Sequence, residues 1–171
     1  GGLAALVDTF DMADVASMAA AGVRLDRLLW VRGESSTSAF PPLTNGRRQP
    51  GADRALARAL KAANLILQSG AMSLVALDVA DAPLQALRRV PITTWLRLQK
   101  VVEGQSTAAL IVGSVPMSRS AGGVTLGLRQ LGARGLAPGA GGIESEARIQ
   151  RARLVPGMGA PVRLTAAALV A

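Results

Sequence analysis

Short apolar runs, each closed by a polar residue, recur along the first two thirds of the chain. Residues 3–7 (Leu-Ala-Ala-Leu-Val) end at Asp8, Leu28-Leu29-Trp30-Val31 ends at Arg32, and Leu74-Val75-Ala76-Leu77 ends at Asp78. Runs of this length without alternation predict strands buried on both faces, as in a parallel sheet. Residues 107–113 read as a further strand of this kind. Between them the pattern changes to helical spacing. Residues 11–21 are Ala- and Met-rich, with acids in the first turn and Gly22 as a stop. Over 52–69 the residues Leu56, Ala59, Leu60, Ala63 and Leu67 share one face, with Arg54, Arg58 and Lys61 largely elsewhere. Residues 83–90 form a short helix, and a longer one runs to Glu103 from Pro91, where proline costs little.

Residues 33–51 are rich in Ser, Thr, Pro, Gly and Arg without periodicity and read as a flexible loop. Residues 115–123 are another polar loop, and 130–144 are a glycine-rich connection. Strands are predicted over 124–129, 147–153 and 162–168. The expected architecture is α/β in one domain over 1–171: a mostly parallel sheet flanked by helices, with a C-terminal β extension.

Composition narrows the chemistry. The chain has 171 residues, no Cys and no His, which excludes thiolate or imidazole metal sites, a His-based triad and a disulfide-stapled fold. Apolar content comes almost wholly from Ala, Val and Leu; Phe10, Phe40, Trp30 and Trp95 are the only aromatic residues. Both Trp30 and Trp95 read as core. Nineteen Lys and Arg against eleven Asp and Glu leave a net charge of +8, which suits an acidic partner such as nucleic acid or an acidic protein surface. A coding bias that enriches Ala, Gly and Arg together would leave the same balance. No apolar run is long enough to span a bilayer and no signal peptide opens the chain, so a cytoplasmic protein is expected.

Asp8 and Asp78 are the candidate chemical residues. Ligands of open α/β sheets bind at the carboxyl ends of the strands. An apolar strand ending in Asp is the pattern of the carboxylate that holds the Mg²⁺ of a bound nucleotide. An Asp in such a place is also, and more often, a helix cap or turn residue. The companion motif, Gly-x-x-x-x-Gly-Lys-Ser/Thr, does not occur in this sequence. The stretches at Gly122-Gly123 and 139–142 lack the lysine and read as turns.

The order of segments resembles the RecA-like family, and within it the ImuA-type translesion-mutagenesis proteins. The resemblance is carried by Leu6-Val7-Asp8-Thr9-Phe10-Asp11-Met12-Ala13-Asp14, by Ala21-Gly22-Val23 before Leu28-Leu29-Trp30-Val31, and by Ser69-Gly70-Ala71 ahead of Asp78. Pro91-Ile92-Thr93-Thr94-Trp95-Leu96-Arg97 with Glu103-Gly104 is similar to the ImuA-type group, and Ser145-Glu146-Ala147-Arg148 resembles the opening of a late RecA strand.

This resemblance implies a degenerate nucleotide site. Asp78 would hold Mg²⁺ through the nucleotide if a phosphate loop lies upstream. Asp14 would face the adenine, Ser114 stands where the family senses the γ-phosphate with glutamine, and Arg153 replaces a lysine that reaches a neighbouring protomer. The glutamate that activates water falls at Phe10, and loss of such a base forfeits about 10² to 10⁴ in rate. A second late lysine falls at Val155. The family's DNA-binding loops fall at 81–91 and 115–123, which makes Arg88, Arg89 and Arg119 candidate DNA contacts. Arg47 and Arg48 lie in the flexible loop. Of Arg148, Arg151 and Arg153, simple alternation lets only the last two share a face.

In this fold class the strand before the phosphate loop lies between 107–113 and 124–129. It is expected to precede Gly1, and without it two ladders lose partners at about 1 to 3 kcal/mol per group. The isolated chain is therefore expected to aggregate readily.

Three functions follow as expectations. The first, which the resemblance implies, is a scaffold that joins a Y-family-like polymerase homologue, an error-prone replicative-type polymerase and RecA in the DNA-damage response. The second is a DNA-dependent ATPase, with ATP and Mg²⁺ bound only in a longer form. The third is a single-stranded DNA-binding module. This chain alone is expected to carry no cofactor, and no membrane role is implied.

Overall fold

A computed structural model describes residues 2–33, 50–117, 123–134, 141–152 and 161–168. In chain order the elements are β1 (Ala4–Asp8), α1 (Val15–Ala20), a 3₁₀ turn (Leu25–Arg27), β2 (Leu28–Arg32), α2 (Pro50–Ser69), β3 (Leu74–Asp78), α3 (Leu84–Arg89), α4 (Ile92–Val102), β4 (Ala108–Val112), β5 (Val124–Arg134), β6 (Gly141–Ala152) and β7 (Val162–Ala168). They fall into two compact units, Gly1–Ala13 with Asp26–Ser118 and Asp14–Leu25 with Arg119–Ala171.

The first unit is α/β. Its four strands are all parallel, in the order β2-β1-β3-β4. Register places Ala5 beside Val75, Val7 beside Leu77 and Asp8 beside Asp78. Side chains alternate along each strand, so Ala5, Val7, Val75 and Leu77 share one face, and all four are buried. Val31 and Ile111 reach the same cluster from the outer strands.

Helix α2 covers that face. Its buried residues, Ala52, Ala55, Leu56, Ala59, Leu60, Ala63 and Leu67, recur at the three- and four-residue spacing of one helical stripe. Alanine at four of those positions lets the helix axis approach the sheet closely. The three leucines fill the gaps, each contributing about 1.5 to 3 kcal/mol on burial. Gly70 ends the helix at φ 63° and Gly104 follows α4 at φ 81°, left-handed conformations that a β-carbon would strain. Trp95 and Leu98 of α4 and Leu87 of α3 complete the core.

The opposite face carries Leu6, Trp30, Leu74, Ala76, Leu110 and Val112, apolar residues of which none is buried. The unit's described helices pack on the other side. β4 forms one edge of the sheet and pairs only with β3 among the described residues. Its sequence, Ala-Ala-Leu-Ile-Val, has no charge or proline to discourage further pairing.

The second unit holds α1 and an antiparallel sheet in the order β5-β6-β7. Two expectations change here. Strand β5 continues to Arg134 and β6 begins at Gly141, so both ends of the supposed 130–144 connection are ladder, with 135–140 outside the described residues. The helix expected over 11–21 begins only at Val15, because Asp11 adopts φ 58° and Asp14 caps the first turn. The loop expected over 33–51 lies outside the described residues, apart from Gly33 and the start of α2 at Pro50.

The uncharged β4 edge makes a direct prediction. Leu110 is 50% exposed there, and Leu110→Lys should raise the protein concentration at which the isolated chain scatters light while leaving its circular dichroism unchanged. An unchanged onset of scattering would place the adhesive surface elsewhere.

Candidate functional site at the carboxyl edge of the parallel sheet

Strands β1, β3 and β4 are neighbours and run in the same direction, so Asp8, Asp78 and the residues after Val112 gather at one edge. Asp8 and Asp78 are register partners and point to the same face, the one that α2 leaves uncovered.

Their surroundings differ. Asp8 is 1% exposed, and its carboxylate accepts three hydrogen bonds: from Met12 N at 3.0 Å, Ala13 N at 2.9 Å and Trp30 Nε1 at 3.3 Å. A buried carboxylate requires such donors. This one uses them to fold the segment after β1 back over the strand end. The turn sends Phe10 into the core, where it is 2% exposed. It also brings Asp11 against Arg32, which forks onto both carboxylate oxygens at 2.6 and 2.8 Å. The Arg32 guanidinium lies 4.7 Å from the centre of the Trp30 ring. Trp30 is therefore not a core residue, as its apolar strand suggested. It sits half-buried on the open face between Asp8 and Arg32. Gly33 closes the arrangement by donating to Asp8 O at 2.7 Å; a β-carbon there would lie 1.9 Å from Thr9 O.

Asp78 is half-buried and has one assigned donor, Ala80 N, at 2.9 Å on Oδ1. Burial pushes its carboxyl above the ordinary range; the Ala80 N–H offsets this in part, and the charges of Asp8 and Asp81 add to the rise. The Thr9 hydroxyl donates to the Asp78 carbonyl, tying the two strand ends together. Ser114 is exposed, two residues beyond β4. The edge thus brings together Asp78, Ser114 and the Asp8 turn. Of the two register partners, Asp78 is the less committed to the fold.

The remaining candidates are placed differently. Asp14 belongs to the second unit and caps α1, accepting from Ser17 N at 2.7 Å; its bonds to Ser17 hold its carboxyl below the ordinary value. Arg88 is exposed at the end of α3, while Arg89 forms an ion pair with Asp53 at 3.0 Å. Arg119, Arg153, Val155, Arg47 and Arg48 lie outside the described residues. Trp95 is in the core. Among the described residues no group of three acidic side chains gathers that could hold a metal ion, and no helix is long and apolar enough to cross a membrane.

A second surface escaped simple alternation. The β5–β6 register shifts between Thr125 and Leu126, leaving Gln150 as the extra residue of a bulge. Arg148 then pairs with Gly127 and Arg151 with Thr125, so these two arginines share a face. Gly127 makes room for the displaced side chain, since a β-carbon there would lie 2.3 Å from Gln150 Nε2. The same face carries Arg129 and Arg163, with Glu144 and Glu146 between them at 3.6 to 3.8 Å. Among the described side chains, four arginines stand there against two glutamates, which leaves the face basic. The expectation that Arg148 stands out of phase with Arg151 is corrected by the bulge, which alternation cannot foresee.

No family model matches the chain, and no curated protein matches it.

The raised carboxyl of Asp78 sets a sign. A carboxyl whose folded value exceeds its unfolded one stabilises the fold below the ordinary value of 3.8, and that contribution is lost as pH rises through the folded value. Asp78→Asn keeps an oxygen for Ala80 N and removes the charge. The variant should melt above the parent at pH 7, and the difference should shrink towards pH 4. A variant that melts below its parent at pH 7 would show that the charge is held by a favourable partner.

Proposed function

We propose that the chain is a RecA-like accessory protein of the DNA-damage response, acting in translesion synthesis as an interaction scaffold. Its partners in this reading are a Y-family-like polymerase homologue, an error-prone replicative-type polymerase and RecA. The observation that carries it is the composition of the carboxyl edge. Asp8 and Asp78 close two adjacent parallel strands and Ser114 lies two residues beyond the third, at the edge where open α/β sheets bind ligands. Yet the position that resemblance assigns to the water-activating acid holds Phe10, buried in the core, and Asp8 is engaged by backbone and indole N–H groups. Such an edge favours binding over catalysis. ATP with Mg²⁺ at Asp78 belongs to this reading only for a longer form that supplies a phosphate loop.

A second reading, binding of single-stranded DNA, is favoured by the arginine face of the antiparallel sheet. No aromatic residue lies in residues 119–171, so binding there would be to phosphates, independent of sequence and steeply salt-dependent.

One pair of measurements separates the two. Recovery of the tagged protein from DNA-damaged cells should enrich the polymerases and RecA relative to undamaged cells. Recovery of none of them would overturn the scaffold reading. In parallel, Arg148→Glu with Arg151→Glu should leave that enrichment intact. If those substitutions instead abolish oligothymidine binding and lower its logarithmic salt dependence by about 0.7 per lost contact, the DNA-binding reading gains.

A further inference from the structure

The antiparallel sheet of the second unit has two unlike faces. Register puts Val124, Leu126 and Leu128 of β5 on the side opposite the arginines, with Ile149 of β6 and Val162 and Leu164 of β7 beside them. Ile149 is half-buried and the other five are exposed, Leu128 to 68%. The unit's described helix, α1, has no buried residue and so supplies no layer over them. A sheet of this kind is stabilised by burying its apolar face against a second layer, and an exposed patch of such residues marks an interaction surface.

The polar chemistry of the face points to what covers it. Among the described residues it carries no charge, and its polar members are Gln130 and its register partner Ser145. An amide and a hydroxyl each donate and accept, so either can pair with an identical group across a two-fold axis; arginine and glutamate cannot. Two chains of net charge +8 repel one another, and that repulsion is smallest where the touching surface is uncharged. A foreign partner is ordinarily selected by complementary charges at the contact. Two antiparallel sheets of the same twist also pack face to face in near alignment, about 10 Å apart. The face extends roughly 20 Å along the strands and 10 Å across them, so two copies would remove on the order of 1,000 Å² from water, the lower bound of a specific interface.

We propose that this face is a self-association surface, on which a second copy of the chain lays the same face to form a two-layered sandwich of β5–β7 sheets. Leu126, Leu128 and Val162 of one copy meet the equivalent apolar surface of the other. The arginines, on the reverse of each sheet, point outward on both sides of the sandwich. The small area makes the dimer weak and reversible, with a Kd on the order of micromolar. The inference uses the second unit alone and is independent of the damage-response reading.

Sedimentation velocity of the full 171-residue chain, below the concentration at which it scatters light, provides the test. A reversible monomer–dimer equilibrium is expected. Leu126→Lys with Leu128→Lys should weaken it at least about ten-fold by placing like charges across the contact, while circular dichroism matches the parent. Neither Leu110→Lys nor Arg148→Glu with Arg151→Glu should weaken it. Added salt should tighten the dimer, because screening removes the repulsion between two cationic chains and leaves the apolar contact in place. A chain that stays monomeric throughout the concentration range overturns the proposal, whatever else covers the face. So does assembly that continues past two copies, a dimer that the lysine pair leaves intact, one that Leu110→Lys abolishes, or one that salt dissociates.

Discussion

Asp8 holds the carboxyl edge together. Taking a carboxylate almost wholly out of water costs several kcal/mol unless donors replace the lost solvent, and here two backbone N–H groups and an indole do so. Each of these bonds fixes something else. The bonds to Met12 and Ala13 set the path of the chain as it leaves β1, and with it the inward turn of Phe10 and the left-handed Asp11. The indole bond orients Trp30, on whose ring Arg32 rests. Asp8 thus spends its hydrogen-bonding capacity on structure. Its register neighbour Asp78 is left half-buried beside it, with one assigned donor and a negative charge close by. The asymmetry of the two carboxylates follows from the sheet register and the turn after β1.

Much of this was legible in the chain. Uninterrupted apolar runs ending at Asp8 and Asp78 identified β1 and β3, and the stripe through Leu56, Leu60 and Leu67 identified the covering helix. The helix stripe is a strong signal because burial against a packed layer leaves little freedom in residue type, whereas the same apolar runs wrongly implied burial on both faces of the sheet, one of which the unit's described helices leave open. What escaped depends on contacts that periodicity does not encode. Asp14 and Asp11 both read as first-turn acids of one helix, but local hydrogen bonds to Ser17 and Arg32 assign one to a cap and the other to a turn. Trp30 occupies an apolar run, yet its place follows from a face of the sheet that its own unit's helices leave open. The shared face of Arg148 and Arg151 depends on one displaced residue, Gln150, whose position was knowable only once β5 was paired with β6.

Charge is distributed in two styles, and the contrast is informative. On β5–β7 the arginines alternate with glutamates, a pattern that stabilises cross-strand neighbours and leaves a small excess of positive charge. On the helical layer one sign stands almost alone. Helix stability gains nothing from such an arrangement. Nor does the sheet beneath it, since the stripe of Arg54, Arg58 and Lys61 faces away from the core. A coding bias towards arginine would raise the number of cations everywhere without removing the acids from three successive helices. The scarcity of acids is confined to the three helices, since the strand ends of the same unit carry Asp8, Asp11, Asp78 and Asp81.

The same reasoning bears on the open face of the parallel sheet. Antiparallel sheets that meet water on one side interleave polar residues there, and β5–β7 follow that rule with Thr125, Arg129, Glu144, Glu146 and Arg163. The first unit does not. Leu6, Leu74, Ala76 and Leu110 leave no polar side chain between the start of the strands and the carboxylates at their ends. A face of this composition is suited to contact with another apolar layer, and its polar residues are confined to the edge where Asp8, Asp78 and Arg32 stand. Any group that covers the apolar part would meet that edge at one side. Binding to the sheet and access to Asp78 are then physically coupled: desolvation already disfavours the ionised form of this carboxyl, and further covering would disfavour it more.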